Sequence, residues 1–133
     1  MPRPATVLLV DDEPDVLRLT SVRIQQGGHE VLTAGDGLAA LAAAKSQHPD
    51  VIVLDVMMPG MDGRQTLKAL KADAATADIP VIMLTSMSGE RDMDTSIGQG
   101  AVRHMVKPPP PQELLDEIRL AVERHRFYHK PAT

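Results

Sequence analysis

The stretch Val51-Ile-Val-Leu-Asp55-Val-Met-Met-Pro59-Gly-Met-Asp-Gly63 decides how this chain folds. Four apolar residues run into a single carboxylate, and Pro59, Gly60 and Gly63 then end any strand and open a loop. A short run that is apolar at every position suits a strand covered on both faces, as in a parallel sheet with helices above and below. Asp55 then stands at the strand's carboxyl end, the edge where open α/β sheets place their chemistry. An isolated Asp of this kind more often just caps the following turn, so its meaning depends on the rest of the chain.

Working outward, two more runs of the same kind appear. Thr6–Val10 precedes Asp11-Asp12-Glu13, and Val81–Leu84 precedes Thr85-Ser86. Glu30–Ala34 is shorter and less apolar, as an edge strand is, and Val102–Val106 ends at Lys107. Helical spacing fills the intervals. Pro14–Gln26 carries Val16, Leu17, Thr20 and Ile24 on one face and stops at Gly27-Gly28, and Leu38–Gln47 is Ala-rich and closes at His48-Pro49. Gly63–Ala72 turns Leu67 and Leu70 inward, and Gln112–His125 repeats Leu114, Leu115, Ile118, Ala121 and Val122. A helix over about Glu90–Gln99 is the weakest element, since Thr95, Ser96 and Gly98 are modest or poor helix formers. Five strands alternating with five helices imply right-handed parallel βαβ units in one α/β domain.

Composition narrows the function classes. A chain of 133 residues with 43% hydrophobic and 24% charged residues is an ordinary globular domain. Its formal net charge of −4 argues against direct nucleic-acid binding. The lack of cysteine excludes disulfides and thiolate chemistry and fits a reducing, cytoplasmic setting. No apolar run approaches the roughly 18 residues of a membrane span.

In a parallel sheet the strand ends share one edge, which gathers Asp11, Asp12, Asp55, Thr85 and Lys107. Each close carboxylate pair at about 4 Å costs on the order of 4 kcal/mol at an effective dielectric near 20. Such a cluster needs a cation, and all-oxygen ligands suit Mg²⁺, with Mn²⁺ as the alternative. A lysine and a hydroxyl nearby complete a site able to neutralise a phosphoryl group from three sides.

With these residues in this order, the chain resembles the receiver domain of bacterial two-component response regulators. The matching features are Asp11-Asp12, Asp55, the loop Met58-Pro59-Gly60-Met61-Asp62-Gly63, Thr85-Ser86 and Lys107-Pro108. The resemblance spans residues 5–125 and leaves 126–133 as a tail or the start of a linker. It implies a flavodoxin-like (βα)5 three-layer sandwich with a five-stranded parallel sheet of order 2-1-3-4-5. It also implies that Asp55 takes a phosphoryl group from a histidine kinase, a histidine phosphotransfer protein or a small phosphodonor. Asp12 then ligates Mg²⁺ directly and Asp11 mainly through water, with an oxygen from Asp55 and the backbone carbonyl of Met57. Lys107 holds a phosphoryl oxygen, Thr85 closes on the group as the switch, and Pro108 follows a cis peptide bond. A switched surface then meets an unidentified downstream effector or output domain.

Two departures bear on the switch. His104 stands where the family often has an aromatic, and Pro109 where a Phe commonly follows Lys-Pro. If His104 takes the aromatic's part, its ring is expected to be partly exposed at rest and to move inward on switching. Met57 and Met87, two residues after Asp55 and Thr85, are expected to flank the approach of hydrolytic water and to slow phosphoryl loss. Other readings remain at this stage. An aspartyl phosphatase of the haloacid dehalogenase kind wants a second Asp where Met57 stands. A flavodoxin would need a phosphate-binding loop where Asp11-Asp12-Glu13 repels one. A degenerate receiver serving only as an interaction module would keep the fold without the chemistry.

Overall fold

A computed structural model describes residues 4–58, 60–85 and 100–128. Its strands are β1 (Thr6–Val10), β2 (Glu30–Ala34), β3 (Val51–Asp55), β4 (Val81–Thr85) and β5 (Arg103–Val106). The described helices are α1 (Pro14–Gln26), α2 (Gly37–Gln47), α3 (Gly63–Ala72) and α4 (Pro111–Tyr128). The helix expected over Glu90–Gln99 lies outside the described residues. All neighbouring strands pair in parallel, in the order β2-β1-β3-β4-β5, with Val10 opposite both Ala34 and Leu54 and with Thr85 opposite Val106. The flavodoxin-like fold is therefore the one expected.

The unbroken apolar runs have a simple cause. Every residue of β3 and β4 is buried, because helices cover both faces of the sheet. Alternation sends Leu8, Ile52, Leu54 and Met83 towards Ala40, Ala44, Leu67 and Leu70, and sends Leu9, Val53, Ile82 and Leu84 towards Ile24, Leu114 and Ile118. Two core layers thus share one sheet.

The loop after Asp55 is anchored by the start of α3. Asp62 accepts a hydrogen bond from the Gln65 N–H at 2.9 Å, and Gln65 Oε1 accepts one from the Asp62 N–H at 3.0 Å, a reciprocal cap. The Gly63 N–H donates to the Val56 carbonyl at 2.9 Å. A Cβ on Gly63 would stand 2.7 Å from the Val56 Cα, so only glycine lets α3 approach the end of β3 this closely.

Three local expectations differ from the structure. α1 buries Ile24 alone, while Val16, Leu17 and Thr20 remain half-buried. β5 begins at Arg103, one residue late, and Val102 is exposed. The last helix begins at Pro111 and runs past His125 to Tyr128, so residues 126–128 are helix rather than tail. Arg126 explains the extension: its guanidinium donates to the Pro4 carbonyl at 3.1 Å and lies 3.5 Å from Asp50 Oδ2. Asp50 in turn accepts the Thr6 N–H at 2.8 Å, tying the helix end to the start of β1.

Candidate functional site

The carboxyl edge of the sheet gathers Asp11 and Asp12 after β1, Asp55 ending β3, Thr85 ending β4 and Lys107 after β5. One oxygen each from Asp11, Asp12 and Asp55 lies within 4.8 Å of the others. Asp11 and Asp55 are 2% and 3% exposed, and Asp12 is exposed to solvent. Lys107 joins the two buried carboxylates. Its Nζ donates to Asp11 Oδ2 and, at 3.2 Å, to Asp55 Oδ2. The backbone holds the remaining oxygens: the Glu13 N–H donates to Asp11 Oδ1 at 2.9 Å and the Met57 N–H to Asp55 Oδ1 at 3.1 Å.

These contacts leave one ammonium against three carboxylates. Burial pushes the Asp55 carboxyl above its ordinary value, and the Asp11 charge adds to this. The Lys107 ammonium and the Met57 N–H oppose the rise without cancelling it. For Lys107, burial favours the neutral amine, but its hydrogen bond to Asp11 and the charges of Asp55 and Asp11 outweigh that and hold the ammonium above its usual range. The donor set fits a small hard cation, since the oxygens are anionic, close together and open to water through Asp12.

Thr85 is buried at the edge of β4, and its carbonyl accepts the Lys107 N–H at 2.6 Å, which places the lysine next to the strand end. The Lys107–Pro108 peptide is cis. Pro59, Ser86 and Met87 lie outside the described residues.

His104 departs from expectation. Its ring is 5% exposed rather than partly exposed, because β5 turns it with Met83 towards the face carrying α3. Neither ring nitrogen has a hydrogen-bond partner among the described residues. Burial, and then the nearby Arg64 charge, lowers its tendency to protonate. The folded chain therefore binds a proton here less readily than the unfolded chain, and stability falls as pH drops below the ordinary imidazole value of 6.5. His104→Phe, which removes both unsatisfied nitrogens, is expected to stabilise the fold by about 1–2 kcal/mol near pH 7.5. The gap should widen towards about pH 5.5, where the unfolded wild type gains a proton. Urea denaturation of both proteins at the two pH values checks this, and a gap that narrows on acidification contradicts it.

Sequence patterns also missed a cavity beside the carboxylates. It holds about 360 Å³ between α1 and the start of α4, with Asp55, Met57 and Lys107 at one end and Val16, Pro109 and Leu114 along its walls. The half-buried stripe of α1 and the prolines after Lys107 were its only local signal.

Residues 7–119 match the family described as the response regulator receiver domain. The chain belongs to that family. Among its relatives, the "Probable transcriptional regulator ycf27" of Galdieria sulphuraria is 39% identical over 127 residues, 95% of this chain and 49% of that protein. The "DNA-binding dual master transcriptional regulator RpaA" of Synechocystis is 36% identical over 124 residues, 93% of this chain and 50% of that protein. The receiver thus spans about half the length of the curated relatives it matches. Among solved structures, chemotaxis protein CheY4 of Vibrio cholerae is 36% identical with a TM-score of 0.83, covering 89% of this chain and 98% of that one. The Francisella response regulator 1452 receiver domain is 28% identical with a TM-score of 0.84, covering 90% and 98%. The chain is accordingly a regulatory domain of the two-component response regulator type, with an acidic pocket suited to phosphoacceptance.

Proposed function

We propose that Asp55 is the phosphoacceptor of this receiver. The observation that carries the reading is the Asp55 carboxylate, buried against Lys107 and Asp11 beside the solvent-open Asp12. An ionised Asp55 oxygen attacks phosphorus, the phosphorus–nitrogen bond of a phosphohistidine breaks, and the imidazole leaves. With a small acyl phosphate the carboxylate leaves instead. Lys107 neutralises an oxygen of the transferring group, and Thr85, adjacent in the sheet, offers its hydroxyl to another. Asp12, Asp11, Asp55 and the Met57 carbonyl would hold the divalent cation, Mg²⁺ by donor type. When bound, that cation offsets the carboxylate charge and stabilises the equatorial oxygens of the transition state.

The donor on this reading is a histidine kinase or phosphotransfer protein, and a surface altered through Thr85 engages the output partner. Among the described residues, no helix is long and apolar enough to cross a membrane, and the formal net charge of −4 argues against direct nucleic-acid binding by the receiver itself. Intact mass after incubation with acetyl phosphate and Mg²⁺ tests the proposal. One phosphoryl group per chain, removed by hydroxylamine, is expected. Catalytic turnover of an aryl phosphate would favour a phosphatase, and no uptake at all would leave only an interaction module.

A further inference from the structure

Met57 is held in an unusual place for a methionine. Its N–H donates to Asp55 Oδ1, while its side chain is 56% exposed and lines the mouth of the cavity that reaches Asp55 and Lys107. The other described methionines are shielded. Met58, Met83 and Met105 are buried, and Met61 is half-buried, packed against Gly37, where a Cβ would stand 2.9 Å from its sulfur. Among the described residues, an oxidant arriving from solvent therefore meets the Met57 thioether first, within two residues of the nucleophile.

We propose that Met57 is a peroxide-sensitive modification site whose conversion to the sulfoxide shortens the lifetime of the phosphoryl group on Asp55. The inference rests on Asp55 being the phosphoacceptor. In the reaction the sulfur lone pair attacks one oxygen of hydrogen peroxide, the O–O bond breaks, an S–O bond forms and water leaves. Sulfur loses two electrons and the peroxide gains them. A thioether is a poor hydrogen-bond acceptor, so the Met57 side chain itself orients no water at the end of the cavity it shares with Asp55 and Lys107. The sulfoxide oxygen is a strong acceptor. Placed at that mouth, it retains a water next to the acyl phosphate, and hydrolysis of the phosphorus–oxygen bond accelerates. The lesion is reversible, because sulfoxide reductases restore the thioether.

The test uses the full chain treated with dilute hydrogen peroxide, mapped by peptide mass, then phosphorylated with acetyl phosphate and Mg²⁺ and followed after donor removal. Fragment masses that localise the added oxygen should place it on Met57 ahead of its neighbour Met58 and ahead of Met83 and Met105. Loss of the phosphoryl group should become about fivefold faster, the rate equivalent of roughly 1 kcal/mol. Methionine sulfoxide reductase should reverse the change. Met57→Leu should decay at one rate with and without peroxide, and Met57→Gln, with a carbonyl near the sulfoxide position, should decay faster than Met57→Leu untreated. Oxidation of Met57 no faster than of the buried methionines overturns the proposal, as does an unchanged decay rate once Met57 is oxidised. So does a Met57→Leu protein that still responds to peroxide. A chain that takes no phosphoryl group before oxidation fails at Asp55 itself, a failure visible in the untreated sample and separate from the peptide map.

Discussion

Asp55→Asn is expected to take up no phosphoryl group from acetyl phosphate and Mg²⁺ while folding more stably than the wild type near pH 7. The first effect follows from chemistry: an amide oxygen lacks the charge and basicity to displace an imidazole or a carboxylate from phosphorus. The second follows from electrostatics. The carboxylate is buried, and Asp11 shares the one ammonium that reaches it among the described residues, Lys107. Its protonation is therefore shifted upward in the folded chain. An acid whose folded value is raised binds protons better folded than unfolded. Stability then decreases as pH rises from the ordinary value of 3.8 through the raised one, and the loss persists at neutral pH. The amide avoids that loss while keeping the shape. We expect a gain of about 1 kcal/mol, a few degrees in melting temperature for a chain of this size, shrinking as the pH approaches about 4. Intact mass and urea titrations at both pH values measure the two effects. Wild-type labelling of Asp55→Asn would falsify the assignment of the nucleophile, and a less stable variant would contradict the electrostatic account.

Lys107→Met should do the opposite to stability and nearly as much to chemistry. The ammonium bridges Asp11 and Asp55, and all three side chains are largely withdrawn from water. Replacing it with an apolar chain of similar length leaves two adjacent buried carboxylates unpaired, which costs roughly 3 kcal/mol at neutral pH. The sign agrees with the titration of the lysine itself. Its folded value is raised, so its stabilisation is complete at neutral pH and is lost only as pH climbs above the ordinary 10.5. In the variant, loss of the Lys107 charge, which opposes the effect of burial, lets the Asp55 carboxyl keep its proton to still higher pH. Mg²⁺ should restore part of the stability by binding only the folded carboxylates. It should not restore the rate, because on the proposed mechanism the charge that would meet the transferring oxygen is gone. Phosphoryl uptake is expected to slow by about a hundredfold or more. Denaturation with and without Mg²⁺, together with initial labelling rates, separates these effects. A variant as stable as the wild type without Mg²⁺ would show that the bridge contributes nothing.

Much of this molecule is local in origin. The runs Thr6–Val10, Val51–Asp55 and Val81–Thr85 become the central strands because a strand covered on both faces needs apolar residues at every position, a pattern visible without neighbours. Asp62 and Gln65 at capping spacing start α3, and Pro14 starts α1, through bonds and dihedrals that span a few residues. Parallel pairing then requires that Asp11, Asp12, Asp55, Thr85 and Lys107 share an edge, so which side chains converge there was legible as well. What local pattern could not decide is how those groups divide their charge. That Lys107 holds Asp11 and Asp55 together, across separations of 96 and 52 residues, depends on the register of β1, β3 and β5. His104 reads as a strand residue with either face available, and only its place against β4 buried the ring, with no hydrogen-bond partner among the described residues. Arg126 reads as tail until Asp50 and the Pro4 carbonyl are brought beneath it. The cavity beside Met57 is lined jointly by α1, Pro109 and the start of α4, segments about ninety residues apart. Periodicity and caps act within one element, whereas burial and ion pairing are sums over elements distant in sequence, and those sums exist only once the chain has closed around its sheet.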